Sequence, residues 1–217
     1  MTTSDRFWDR MAATYAKSPV ADKATYQRKL SETQNLLSPN MRILEFGCGT
    51  GTTAIHHAPH VRQIYAIDIS ERMLDIARRK AQEAGVSNIT FAHGTLPDPA
   101  FGPESFDAVL GLNVIHLMTN WRDVLTDVER ILKPGGVFVS STECLGHSFR
   151  RFAKLITPLG SRLGIMPDIA VMTEAELGST IASTGLEIER QWCHAKHGTT
   201  VFIIAKKSIE AESKSGN

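Results

Sequence analysis

Ile43-Leu44-Glu45-Phe46-Gly47-Cys48-Gly49-Thr50-Gly51 runs from an apolar strand into a turn with glycine at every second position, and Ile64-Tyr65-Ala66-Ile67 downstream ends on Asp68. Glycine tolerates positive φ and lets a ligand approach where a Cβ would clash, so alternate glycines after a strand make a close-fitting shelf. A carboxylate closing the neighbouring strand is placed to accept hydrogen bonds from both hydroxyls of a ribose. The pairing predicts a site for a nucleoside cofactor.

Two cofactor classes share that geometry. A dinucleotide fingerprint wants a third glycine spaced for helix packing, whereas here Gly47 and Gly49 are followed by Gly51 and then Thr52. Glu45 also sets a carboxylate beside the turn, unfavourable near a pyrophosphate and well suited to the amino group of a methionine moiety. The residues favour S-adenosylmethionine over NAD.

Further motifs follow in order: Phe91-Ala92-His93-Gly94-Thr95, the strand Phe106-Asp107-Ala108-Val109-Leu110, and Leu132-Lys133-Pro134-Gly135-Gly136. With the glycine turn and Asp68 they make residues 41–142 resemble the class I S-adenosylmethionine-dependent methyltransferases, and in particular small-molecule members such as the quinone and biotin-pathway enzymes. The resemblance implies an α/β fold, a Rossmann-like three-layer sandwich on a mostly parallel seven-stranded sheet with an antiparallel last strand. It implies that Gly47, Gly49 and Gly51 line the methionine moiety, that Asp68 holds the ribose, and that Ile69 packs on the adenine. Thr95 stands where the family pattern has Asp to accept a hydrogen bond from the adenine amino group; threonine accepts more weakly, with the backbone of Leu96 as a neighbouring partner. Tyr15, in Phe7-Trp8-Asp9-Arg10-Met11-Ala12-Ala13-Thr14-Tyr15, resembles the amino-terminal tyrosine that lies over the methionine end in small-molecule members. Core packing of that helix is the plain alternative.

Periodicity divides the chain. Residues 1–40 read as helices roofing the site, with Phe7, Trp8, Met11 and Tyr15 on one face. Residues 41–142 form the cofactor-binding core, with strands at Met41–Phe46, up to Asp68, Ile89–Ala92, Phe106–Leu112 and Val137–Ser141. Helices start at Thr52 and after Ser70, and Trp121, Val124, Leu125, Val128 and Leu132 make one apolar stripe. Residues 143–172 are expected to be a lid over the acceptor. Residues 173–207 should form a capped helix and a hairpin, Leu186–Trp192 with Thr199–Ala205, all within one domain spanning 1–207. Residues 208–217 read as a disordered tail.

Composition narrows the function. Lys and Arg number 24 against 23 Asp and Glu, so no broad positive field steers the chain to nucleic acid. Three scattered cysteines argue against a disulfide framework and for the cytoplasm. No run approaches transmembrane length.

Chemistry is expected just past the fourth strand, at Gly111-Leu112-Asn113-Val114-Ile115-His116, since ligands of such sheets lie at carboxyl strand ends. His116 is the candidate general base for a hydroxyl or thiol acceptor, weighed against plain packing. Asn113 is assigned to cofactor contact or strand capping. The segment lacks the Asn/Asp-Pro-Pro-Tyr run that methylates planar amino nitrogens. No metal is expected: carboxylates do not converge here, and Cys193, His194 and His197 lack a fourth ligand. The basic amphipathic stretch His147–Leu163 fits a lid, a weak membrane-surface contact or a solvated face. The reading is therefore a methyltransferase acting on a small molecule at oxygen, sulfur or nitrogen, with RNA or protein methylation and non-catalytic cofactor binding as alternatives.

Overall fold

A computed structural model of the chain describes residues 3–147, 166–194 and 199–209. Its strands are β1 (Arg42–Phe46), β2 (Gln63–Asp68), β3 (Ile89–His93), β4 (Phe106–Leu112), β5 (Leu132–Glu143), β6 (Leu186–Cys193) and β7 (Thr200–Lys207). They form one sheet in the order β3-β2-β1-β4-β5-β7-β6. The pairs from β3 through β5 are parallel, and β7 runs antiparallel to both β5 and β6.

The sheet is parallel where it is because the strands are apolar on both sides. Ile43, Leu110 and Val139 join one hydrophobic cluster, while their neighbours Leu44, Val109 and Phe138 join the other. Alternation along a strand thus buries both faces, as helix-covered parallel sheets require. Helices α3 (Thr52–His57) and α4 (Glu71–Glu83) cover the first face with Ala54 and Leu74. Helices α5 (Trp121–Ile131) and α6 (Glu174–Ser183) cover the second with Val124, Val128, Leu177 and Ile181. The three-layer α/β architecture and the antiparallel strand are as expected.

Local signals explain the helix starts. Ser70 accepts a hydrogen bond from Met73 N at the start of α4, and Thr173 with Glu176 completes a capping box on α6. The first forty residues hold α1 (Thr3–Lys17) and α2 (Lys23–Gln34), the latter capped by Asp22 accepting from Thr25 N. Helix α1 is fixed to α4 through Asp9, whose Oδ1 accepts from Ser70 Oγ at 2.6 Å and Arg72 N at 3.2 Å.

One boundary differs from expectation. Leu132 belongs to β5, where it pairs with Phe106, and is not part of the α5 stripe. Pro134-Gly135-Gly136 then interrupts the register between Phe106 and Ala108, so the strand starts five residues early across an irregularity. The basic side chains expected over the lid, the membrane-surface reading that rests on them, His197, and residues 210–217 lie outside the described residues. Among the described residues, Cys48, Cys144 and Cys193 are free thiols, and no helix is long and apolar enough to cross a membrane.

Candidate active site

The sheet order reverses between β1 and β4, and a cavity of about 340 Å³ opens at the carboxyl ends of the strands there. Its floor is the turn after β1, with Gly47 and Gly49, and its side is the end of β2, with Asp68 and Ile69. Gly94 and Thr95 follow β3, and Asn113, Val114, Leu117 and Met118 follow β4. Ser4, Asp5, Trp8 and Tyr15 of α1 close the top together with Asp168. Ser4 Oγ donates to Asp168 Oδ2 at 2.8 Å, which ties the first helix to the segment before α6.

Asp68 is held firmly. Gly49 N donates to its Oδ2 at 2.8 Å and Ser70 N to its Oδ1 at 2.9 Å, leaving each oxygen a further lone pair. Burial pushes its carboxyl above the usual range, while these backbone donors pull it down. Tyr15 stays half exposed at the mouth, its ring 3.8 Å from where a Gly49 Cβ would lie. Burial beside Asp68 raises its phenol pKa.

The three glycines of the turn prove to have different jobs. A Cβ on Gly47 would overlap Val114 Cγ2, so its absence lets the turn after β4 press against the turn after β1. A Cβ on Gly49 would meet only the edge of Tyr15, so the space it faces is open to a ligand. Gly51 does not line the cavity: a Cβ there would lie 2.8 Å from Ala77 Cβ and 3.1 Å from the Phe91 ring. Its assignment to the methionine moiety is corrected to packing between α4 and β3.

Tyr15, Gly47, Gly49, Asp68, Ile69, Thr95 and Asn113 thus share the cavity, and Glu45, Gly51, Leu96 and His116 are not among its lining residues. Leu96 is core, fully buried. Glu45 is buried with Oε2 unbonded; loss of water drives its carboxyl pKa up to about 8, and Asp68 adds to the shift. His116 sits in a 3-10 turn, Ile115–Leu117. With three residues per turn, Val114 and Leu117 share the cavity side and His116 falls elsewhere. It is buried, its Nδ1 is unbonded, and desolvation lowers its pKa while Glu143 opposes the shift. The expected base therefore stands off the cavity wall.

Sequence reasoning placed a helical roof over the site but missed the polar residues in it. Ser4, Asp5 and Asp168 carry no local signature, because their meeting depends on how α1 lies across the sheet; Trp8 was legible only as part of an apolar face. Met73 also reaches the cavity. Among the described residues no group of three or more His, Cys, Asp or Glu could hold a metal ion.

Residues 43–136 match a family model described as a methyltransferase domain. An uncharacterised methyltransferase, YcgJ, of Bacillus subtilis is 34% identical over 98 residues, covering 45% of this chain and 39% of its own. The ubiquinone biosynthesis O-methyltransferase of Dinoroseobacter shibae is 30% identical over 194 residues, covering 83% of this chain and 77% of that protein. The chain thus spans about two fifths of the first relative's length and about three quarters of the second's. Among solved structures, the [4+2]-cyclase SpnF superposes with a TM-score of 0.77 at 14% identity, over 96% of this chain and 97% of the other, a likeness of fold alone. With glycine turn, strand-end acid and sheet order all in place, the chain belongs to the class I S-adenosylmethionine-dependent methyltransferases.

Proposed function

We propose that the chain transfers a methyl group from S-adenosylmethionine to a small, partly apolar acceptor by in-line displacement. The observation that carries this reading is the single cavity wall on which Gly49 leaves open space, Asp68 keeps free lone pairs, and Ile69 offers an apolar face. These features fit an adenosine with an amino-acid extension. Asp68 would accept from the ribose hydroxyls, Ile69 and Met73 would pack on the adenine, Thr95 would accept from its amino group, and Gly47 and Gly49 would border the methionine end beneath Tyr15. The bound cofactor supplies an electrophilic methyl on a sulfonium.

The remaining work falls to the chain. Trp8, Leu117 and Met118 give the acceptor an apolar bed, and α1 covers the cavity from water. Alignment of a nucleophile with a fixed methyl is worth roughly 7–11 kcal/mol of barrier, so the chain can act chiefly by positioning. Among the described residues no histidine lines the cavity, which favours acceptors that are nucleophilic as they stand, such as a thiolate, a phenolate, a carboxylate or a free amine. The quinone-pathway relative supports a small molecule over RNA or protein.

The test is incubation of the purified protein with methyl-labelled S-adenosylmethionine and the small-molecule, RNA and protein fractions of a cell extract, with calorimetric titration of the cofactor alongside. Label in the small-molecule fraction is the expected result. Label in RNA or protein would refute the acceptor class, and binding without transfer to any fraction would refute catalysis.

A further inference from the structure

Behind Asn113 lies a hydrogen-bonded chain that the cofactor motifs do not include. Lys29, on α2, donates from Nζ to Ser141 Oγ at 2.7 Å, and Ser141 Oγ donates to Asn113 Oδ1 at 3.0 Å. The backbone closes the ring, with Asn113 N donating to Ser141 O at 2.7 Å. Ser141 is fully buried in β5, and Asn113 holds a left-handed φ of 57°, a conformation asparagine adopts more readily than most residues.

The direction of the protons in this chain follows from the groups themselves. An ammonium only donates, so Ser141 Oγ accepts from Lys29, and its one proton is given to Asn113 Oδ1. The amide oxygen of Asn113 is therefore the atom turned to Ser141, and the NH₂ is the atom left for the cavity that Asn113 lines. Reversing the amide would set an NH₂ against a hydroxyl already polarised by a cation. Lys29 makes no ion pair among the described residues; Asp22 and Glu143 act on it from a distance, and burial holds its pKa below the ordinary value.

The position of that NH₂ selects its partner. Asn113 precedes Val114, whose methyl occupies the place of a Gly47 side chain, so Asn113 belongs to the turn that packs on Gly47, and both line the cavity. On the cofactor reading above, this is the amino-acid end. A pure donor backed by a positive charge suits an anion and repels an ammonium. Among the described residues, the charged groups on the cavity wall, Asp5, Asp68 and Asp168, are acids that offer a carboxylate nothing. We propose that Lys29 and Ser141 are positioning residues that lock Asn113 as a donor to the carboxylate of the cofactor's amino-acid end.

The test compares two ligands by calorimetry: S-adenosylhomocysteine, which carries the carboxylate, and 5′-methylthioadenosine, which lacks the amino-acid end. Loss of one oriented, charge-assisted hydrogen bond should raise the S-adenosylhomocysteine Kd about tenfold in Lys29→Met and Ser141→Ala. The methylthioadenosine Kd should move less than about twofold, since its contacts lie elsewhere. Lys29→Arg, which can still donate to Ser141, should restore S-adenosylhomocysteine binding to within about threefold of the parent. Coupling between Lys29 and Asn113 is read from the double variant Lys29→Met with Asn113→Ala, expected to bind no worse than Asn113→Ala alone. Lys29 is only half buried, so its variants keep the test open should Ser141→Ala fold poorly. Equal weakening of both ligands, or unchanged S-adenosylhomocysteine binding in Lys29→Met, overturns the proposal. A parent protein that binds methylthioadenosine as tightly as S-adenosylhomocysteine overturns it while sparing the cofactor reading; one that binds neither ligand overturns both.

Discussion

Gly49→Ala and Gly51→Ala are the same chemical change two residues apart, and the structure separates their consequences. Both glycines hold positive φ, 53° and 72°, where a side chain costs about 1–2 kcal/mol. At Gly51 the new methyl would also sit 2.8 Å from Ala77 Cβ and 3.1 Å from Phe91, both packed in the fold, adding the roughly 1–3 kcal/mol of an overfilled core. The total is about 2–5 kcal/mol, which at this chain length lowers the melting midpoint by roughly 4–20 °C. At Gly49 the methyl meets nothing closer than 3.8 Å, so stability should fall only by the backbone cost of about 1–2 kcal/mol. That methyl, however, would stand in the space assigned to the cofactor, and S-adenosylhomocysteine affinity should drop at least about tenfold, the scale of one lost close contact. Scanning calorimetry and isothermal titration on the two variants read both axes. Gly49→Ala binding like the parent, or Gly51→Ala melting like the parent, would refute the division of the turn into a ligand-facing and a packing glycine.

Two buried groups should shape the pH dependence of stability in opposite ways. Glu45, with its folded pKa near 8 against an ordinary 4.5, is bound to its proton more tightly in the folded chain, so it costs nothing below pH 4.5 and costs progressively more stability as pH rises towards 8. Glu45→Gln should therefore be more stable than the parent at pH 9, by an amount of order a few kcal/mol, and no more stable at pH 4; denaturant titrations at both pH values measure this. His57 is fully buried with both ring nitrogens unbonded, and burial, then His60 and His56, bring its pKa down to about 4. The unfolded chain takes up that proton first, so stability is lost as pH falls from about 6.5 through 4, and His57→Leu should flatten this acid limb in melting curves. His116→Gln should keep kcat within about threefold of the parent on the acceptor that the labelling experiment supplies, because the ring stands off the cavity wall; a fall of a hundredfold or more would return the base role to it.

The parts of the site that sequence revealed are those whose residue type is itself the mechanism. Alternate glycines after an apolar run, and an acid closing the next one, have few uses other than a turn that admits a ligand and a ribose partner. Sequence could not say which glycine faces the ligand, because Gly51 is distinguished from Gly49 only by Ala77 and Phe91, brought in by α4 and β3. His116 shows the same limit: its residue type suits a base, but the 3-10 turn decides which of 114 to 118 reach the cavity. Glu45 combined a plausible charge with a depth of burial that no motif records. The Lys29 to Asn113 chain was illegible for a further reason, since it joins residues 29, 113 and 141 through side chains whose types are common on any surface.

The seventh strand in chain order lies between the fifth and the sixth, and this has a consequence for how the molecule is born. As the chain leaves the ribosome, β1 to β5 can pair among themselves, but β5 then presents Val137–Glu143 as a bare edge, and β6 has no partner until Thr200–Lys207 has emerged. The nascent protein therefore carries a sticky border for the whole time that residues 144 to 199 are being made. Shielding by a chaperone, or slow translation placed after residue 207 and not before it, would bear directly on its yield.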